Sequence, residues 1–126
     1  MYKHQELTRE IIQAAQNVHN TLGYGFLEKV YHNALVLELH KMGLDVASEK
    51  PISVHYDGQI VGEYVVDIIV AGKVILEMKA VQAVNPAHEA QLVNYLKATD
   101  IDVGLLLNFG KSLEVKRKIF ETARKK

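Results

Sequence analysis

Asp67, Glu77 and Lys79 are the residues whose types and spacing could do chemistry. Asp67 sits inside the apolar stretch from Tyr64 to Val70, and Glu77 and Lys79 interrupt a second run, Val74 to Ala80, whose branched residues predict a strand. The pleat puts Glu77 and Lys79 on one face. Charges inside a central sheet are costly unless each finds a partner, a bound cation or an opening to solvent. Two readings follow. In one, Glu77 and Lys79 lie on the wet face of a half-exposed sheet and pair there. In the other, the carboxylates hold Mg2+ or Mn2+ through hard oxygen ligands, and the ion activates a water and offsets phosphate charge. Lys79 then orients or deprotonates that water, or stabilises the pentacovalent charge.

The second reading sets a geometric condition. If Val70 and Lys73 flank a two-residue turn at Ala71-Gly72, Asp67 falls opposite Leu76, and Asp67 and Glu77 point to opposite faces. A three-residue connection or a bulge near Gly72 restores a common face, and that irregularity is the expectation. Around these strands, Leu7, Ile11, Ala15, Val18 and Leu22 predict a helix capped by Thr8 and running to about Asn20. A second helix spans about Phe26 to Met42, with Gly43 as its C-terminal cap. Ile52, Val54 and Tyr56 alternate into an Asp57-Gly58 hairpin turn, and the returning strand holds Ile60 to Val70. Asn85 caps a third helix that starts at Pro86 and runs to about Ala98. Val103 to Phe109 reads as a strand buried on both faces, parallel to the one at Val74 through a right-handed crossover, and a basic helix follows from Ser112. The order predicts an α/β fold with a mixed central sheet flanked by helices.

Asp67, nine intervening residues and Glu77-Met78-Lys79 resemble the D…(D/E)-x-K core of the PD-(D/E)XK nuclease superfamily, with Val66 where the superfamily's name has proline. Gln91-Leu92-Val93-Asn94-Tyr95 resembles the Q-x-x-x-Y motif of its RecB-like and Cas4-like branch, without the iron–sulfur cysteines. Gly25-Phe26-Leu27-Glu28-Lys29-Val30-Tyr31 resembles the G-x-x-E-x-x-Y signature of a family of small prokaryotic proteins classed with that superfamily, and the likeness continues through Asn85-Pro86-Ala87-His88-Glu89-Ala90-Gln91 to Asn108-Phe109-Gly110. The resemblance implies a restriction-endonuclease-like αβββαβ core and a metal-dependent nuclease acting on DNA. It assigns metal binding to Asp67 and Glu77, a further contact to Glu28 and one to the backbone carbonyl of Met78. Catalysis would rest on Lys79 with those carboxylates, and Gln91 and Tyr95 would orient lysine, water or phosphate. Taken by themselves, Glu28 could instead pair with His32 four residues on, Tyr95 could simply pack, and Gln91 could be a solvated amide. His88 shares a helical face with Gln91 and Tyr95, and could touch a phosphate or the metal, or stand exposed in the first turn.

At 126 residues and 48% hydrophobic content the chain can bury one core, so one domain over residues 1–126 is expected. The absence of cysteine excludes disulfides, zinc-thiolate sites and iron–sulfur clusters, and suits a reducing, cytoplasmic setting. Met1 to Glu10 resembles neither a signal nor a transit peptide, and no apolar run is long enough to span a membrane. With 15 basic and 15 acidic residues, net charge argues against a nucleic-acid partner. Its distribution argues otherwise: Lys111, Lys116, Arg117, Lys118, Arg124, Lys125 and Lys126 face only Glu114 and Glu121. That last segment is either a solvated helix or one that meets phosphates through Lys116 and Arg117. The competing function is a catalytically weak nucleic-acid- or protein-binding module on the same fold. A homodimer through the Ile52 to Tyr56 strand or the helix pair is compatible with both.

Overall fold

Apolar residues at helical spacing build the first layer of the protein, whose computed structural model describes residues 3–121. Helix α1, Gln5–Leu22, turns Ile11, Ala14, Ala15 and Val18 inward. It begins earlier than the sequence suggests. His4, in the left-handed region, precedes its first turn, and Thr8 lies inside it with its hydroxyl donating to the Gln5 carbonyl at 3.0 Å. Helix α2, Glu28–Lys41, buries Tyr31, His32, Leu35 and Leu39. It stops as expected at Gly43, whose φ of 79° lets its N–H reach the His40 carbonyl at 2.9 Å while Leu44 N–H reaches Leu39 at 3.2 Å.

The alternating segment then forms β1, Val46–Tyr56, and β2, Gln59–Val70, joined by Asp57 and Gly58, both at positive φ as a tight hairpin turn requires. Strand β3, Val74–Lys79, helix α3, Pro86–Lys97, strand β4, Val103–Phe109, and strand β5, Leu113–Ile119, complete the order. The strands lie β1-β2-β3-β4-β5 in one sheet, with β3 and β4 parallel across the α3 crossover and all other neighbours antiparallel. Helices α1 and α2 cover one face, on Ile68, Val70, Leu76, Met78, Leu105, Leu107 and Phe109. Helix α3 covers the other, packing Leu92, Tyr95 and Leu96 on Val66, Ile75 and Leu106. This is the mixed, helix-flanked α/β sheet of the restriction-endonuclease-like type.

The expected C-terminal basic helix is instead strand β5. Every residue of β4 is buried, and a strand buried on both faces needs a hydrogen-bonded neighbour on each edge; β3 fills one and β5 the other. The charges at Glu114, Lys116, Arg117 and Lys118 concealed an alternating pattern. Leu113 and Val115 pack toward α1, while Lys118 faces α3 and pairs with Glu89 at 2.7 Å. Arg124, Lys125 and Lys126, the end of the basic segment, lie outside the described residues.

Close approach of α3 to the sheet depends on Gly104, where a Cβ would stand 2.7 Å from Leu92 Cδ1 and 3.1 Å from its Cγ. Gly104→Ala is therefore expected to lower stability by about 1–3 kcal/mol, read by urea unfolding. An unchanged midpoint would mean that Leu92 gives way without cost.

Candidate functional site

The connection from β2 to β3 has three residues, Ala71, Gly72 and Lys73, between the paired Val70 and Val74. Ala71 and Gly72 both take positive φ, and Lys73 N–H closes the turn on the Val70 carbonyl at 2.9 Å. The irregularity required by a common face is thus present. The regular ladder runs only from Val70↔Val74 to Ile68↔Leu76. One step on, Asp67 and Glu77 stand across from each other where the two strands part. On the other side of β2, pairing with β1 skips Glu49, which holds φ 53°, directly opposite Asp67. Val66 is buried against α3 whereas Ile68 is buried against α1 and α2. A regular pleat would put both on one face. Asp67 occupies the point where the strand rotates, so neither apolar core claims it.

Each carboxylate is tied by a hydrogen bond to the backbone of the facing strand. Asp67 Oδ2 accepts from Met78 N–H at 2.8 Å, and Glu77 Oε1 accepts from Asp67 N–H at 3.4 Å. Glu77 is 6% exposed, so the wet-face reading fails. Among the described residues no cation pairs with either carboxylate. Burial, and then the neighbouring Asp67 charge, push the Glu77 carboxyl up to about 8, against the Asp67 N–H and the attraction of Lys79. Lys79 follows on the same strand face at the end of β3, opposite Asn108 of β4. Met78 points its side chain into the α1/α2 core, which leaves only its backbone at the site.

The G-x-x-E-x-x-Y stretch positions Glu28. Gly25 takes φ 107°, and the buried Tyr31 hydroxyl donates to the Gly23 carbonyl at 2.8 Å and accepts from Phe26 N–H at 3.2 Å. The Tyr31 ring stacks on Phe109 at 4.7 Å. One side chain thereby ties the 23–26 loop to the sheet and fixes where α2 begins. Glu28, in the first turn, faces Lys79, Asp67 and His88; burial raises its carboxyl most, and Lys79 opposes the rise. His32 is not its partner, because Nε2 of that buried ring bonds Ser48 Oγ at 2.8 Å. Tyr31→Phe removes both loop bonds. We expect a loss of about 1–3 kcal/mol in chemical unfolding; the full wild-type stability in the variant would show the loop holds itself.

From the opposite face α3 supplies Tyr95 and Gln91. Tyr95 is 6% exposed, with its ring 5.8 Å from that of Tyr64. Burial first, and then the charges of Glu77 and Asp67, push its phenol up to about 12, so it remains a neutral hydrogen-bond donor beside the carboxylates. Gln91, Tyr95 and His88 line one groove of about 950 Å³ between α3 and the β1–β2 hairpin. His88 also helps to start its own helix. Its Nδ1 accepts from Asn85 N–H at 3.3 Å while Asn85 Oδ1 accepts from Ala87 N–H at 2.7 Å, a reciprocal cap. That leaves Nε2 for any ligand.

Lys116 and Arg117 are not brought to this cluster as a pair. Neighbours on β5, they point to opposite faces: Lys116 lies 3.6 Å from Glu114, and Arg117 reaches under α1 to the Thr8 hydroxyl at 3.0 Å and the Lys3 carbonyl. Asn108, by contrast, was not anticipated. Buried at 2% exposure, its amide accepts from Val81 N–H at 2.9 Å and donates to the Val81 carbonyl at 3.0 Å, holding the chain just beyond Lys79. The signal was present as one amide within an otherwise apolar run, Val103 to Phe109. Asn108→Leu leaves two backbone groups unsatisfied and should cost about 2–4 kcal/mol by urea unfolding; a neutral effect would show that Val81 finds other partners.

Among the described residues, no group of three or more His, Asp and Glu side chains is gathered closely enough to hold a metal ion. Glu28 is close enough for its charge to act on both Asp67 and Glu77. What is present is an adjoining pair of carboxyl groups, Asp67 and Glu77, that no salt bridge joins to a cation among the described residues, with Lys79 near enough to attract Glu77. This donor set fits a hard divalent ion that binds through one or two carboxylates and keeps several waters. No helix among the described residues is long and apolar enough to cross a membrane. Comparison with curated proteins and with solved structures returned no match. A family model of the PD-(D/E)XK nuclease superfamily matches residues 5–119, an interval that includes every element from α1 to β5 and both arms of the carboxylate pair. On that match the chain belongs to the PD-(D/E)XK nuclease superfamily.

Proposed function

We propose that this protein is a Mg2+- or Mn2+-dependent nuclease that hydrolyses phosphodiester bonds in DNA, in a cytoplasmic setting. We place it with the G-x-x-E-x-x-Y proteins of the RecB-like branch. The observation that carries the reading is the buried Glu77 carboxyl hydrogen-bonded to the half-buried Asp67, with Lys79 beside them and no salt bridge to either among the described residues, at the mouth of the parted β2 and β3. Support for the branch comes from Gln91 and Tyr95, which line one groove, with the Tyr95 phenol close enough to feel the charges of both carboxylates.

In this reading Asp67 and Glu77 hold the ion, the Met78 carbonyl adds a backbone oxygen, and Glu28 contributes a further contact. A bound divalent ion would supply positive charge to offset the phosphate and acidity to an attacking water. Lys79 directs its ammonium group at the reacting phosphate, where it orients the water and stabilises the charge that develops in the transition state. Tyr95, protonated at every working pH, donates to a phosphate oxygen, and Gln91 orients the same group from one turn earlier. Asp67 also acts on the backbone, because its bond to Met78 N–H fixes the strand that carries Glu77 and Lys79.

The test is incubation of purified protein with single-stranded and supercoiled DNA in Mg2+, Mn2+ or EDTA. Cleavage in either metal and none in EDTA is the expected result; intact DNA throughout would reject the nuclease reading. One observation favours the competing module, namely that no group of three or more His, Asp and Glu side chains is gathered for a metal ion among the described residues. A melting temperature that Mn2+ does not raise would support that alternative.

A further inference from the structure

We infer that the groove between the β1–β2 hairpin and α3 seats an unpaired nucleobase of the strand to be cut, with Tyr64 as its stacking platform. The inference rests on the nuclease reading for the identity of the strand, and the groove itself carries the rest. Tyr64 is 48% exposed, although its ring meets Tyr95 on one side. Val54 and Val61 continue the apolar lining, and Gly62 leaves the space beside the ring open. A Cβ at Gly62 would meet only Tyr64 Cε2, at 3.6 Å, so a side chain could be accommodated there but would fill the space.

Charge agrees with such an occupant. The chain has 15 acidic residues, yet none of them lines this groove, whereas Lys97, His55 and His88 do. The groove adjoins the carboxylates through Tyr95, which lines it and whose phenol feels the charges of Glu77 and Asp67. A strand whose phosphate sits at the carboxylate pair would therefore have a flanking base within reach of Tyr64. Base-on-aromatic stacking tolerates any sequence, since every base has a π-face. A base inside a duplex has both faces covered by its neighbours and must be extruded first. The groove accordingly selects single strands, frayed ends or flaps over intact duplex.

Fluorescence anisotropy with a labelled single-stranded oligonucleotide and its duplex, in EDTA so that no cleavage intervenes, tests the proposal. The single strand is expected to bind at least about tenfold more tightly than the duplex. Tyr64→Ala should weaken single-strand binding by about ten- to a hundredfold while Tyr64→Trp preserves it. Gly62→Val, which fills the groove but keeps the tyrosine, should weaken it similarly. Equal affinity for both forms, or wild-type binding by Tyr64→Ala or by Gly62→Val, would overturn the inference. So would a wild-type dimer in sedimentation that Gly62→Val dissociates, which would assign the groove to a second copy of the chain. Metal-dependent cleavage assays on the same proteins separate the two claims. Cleavage by wild type with no effect of Tyr64→Ala on binding ends the groove proposal alone, while Tyr64-dependent binding with no cleavage ends the nuclease reading alone.

Discussion

Glu77→Gln is expected to produce a metal-free protein more stable than the wild type, and an inactive one. In the folded chain the Glu77 carboxyl is pushed up to about 8 from an ordinary value of 4.5, by burial first and Asp67 second. Between those two values the folded state holds a proton that the unfolded state has released, so wild-type stability falls as pH rises from about 4.5 through 8. The full loss is on the order of 3–5 kcal/mol. Glutamine keeps the shape and can still accept from Asp67 N–H, but carries no charge. Urea unfolding at pH 5 and pH 8.5 in EDTA should therefore show a clear fall for wild type and little change for the variant. Added Mn2+ should restore wild-type stability at pH 8.5 and do nothing for Glu77→Gln. A variant less stable than wild type at pH 8.5 would show that some cation already compensates the carboxylate.

Lys79→Ala should leave the fold and the ion in place and still remove most of the activity. Its ammonium forms no ion pair among the described residues, so its loss opens no buried gap in the charge balance. Its electrostatic pull on Glu77 and Glu28 disappears, and that change should keep Mn2+ affinity equal or make it tighter. Cleavage, by contrast, should lose a group aimed at the developing charge, a drop of about 10²- to 10³-fold in kcat. Activity close to wild type in Lys79→Ala would remove the lysine from the chemistry. Loss of Mn2+ binding along with activity would instead give it a structural role.

The sheet and the pair were legible from the sequence because their signals are local. Period-2 alternation, Asp57-Gly58, Gly43 and the Asn85-Pro86 cap each mark an element by its own backbone requirement. The requirement for a three-residue connection at Ala71 to Lys73 could likewise be read by asking which register lets Asp67 and Glu77 share a face. Other features depend on contacts remote in the chain. Strand β5 was hidden because its lysines and Arg117 look like a solvated helix until β4 demands a second neighbour. The rotation at Glu49 and Asp67 has no local signature, since glutamate takes φ 53° where the β1–β2 pairing skips a residue, a position set by the two strands together. Glu28 shows the limit of motif reading. Its spacing to Tyr31 announced a device that fixes the start of α2, whereas its coupling to Asp67, Glu77 and Lys79 comes from the docking of α2 on the sheet, which no local signal encodes.

Calorimetric titration of Mn2+ into metal-free wild type and Asp67→Asn, at pH 7 in two buffers of different ionisation enthalpy, addresses the carboxylate pair most directly. The wild type should bind one ion and release close to one proton, because Glu77 must ionise to take part, and Asp67→Asn should show no such event. Absence of binding in the wild type, or the same binding and proton release in the variant, would contradict a metal centre built on Asp67 and Glu77.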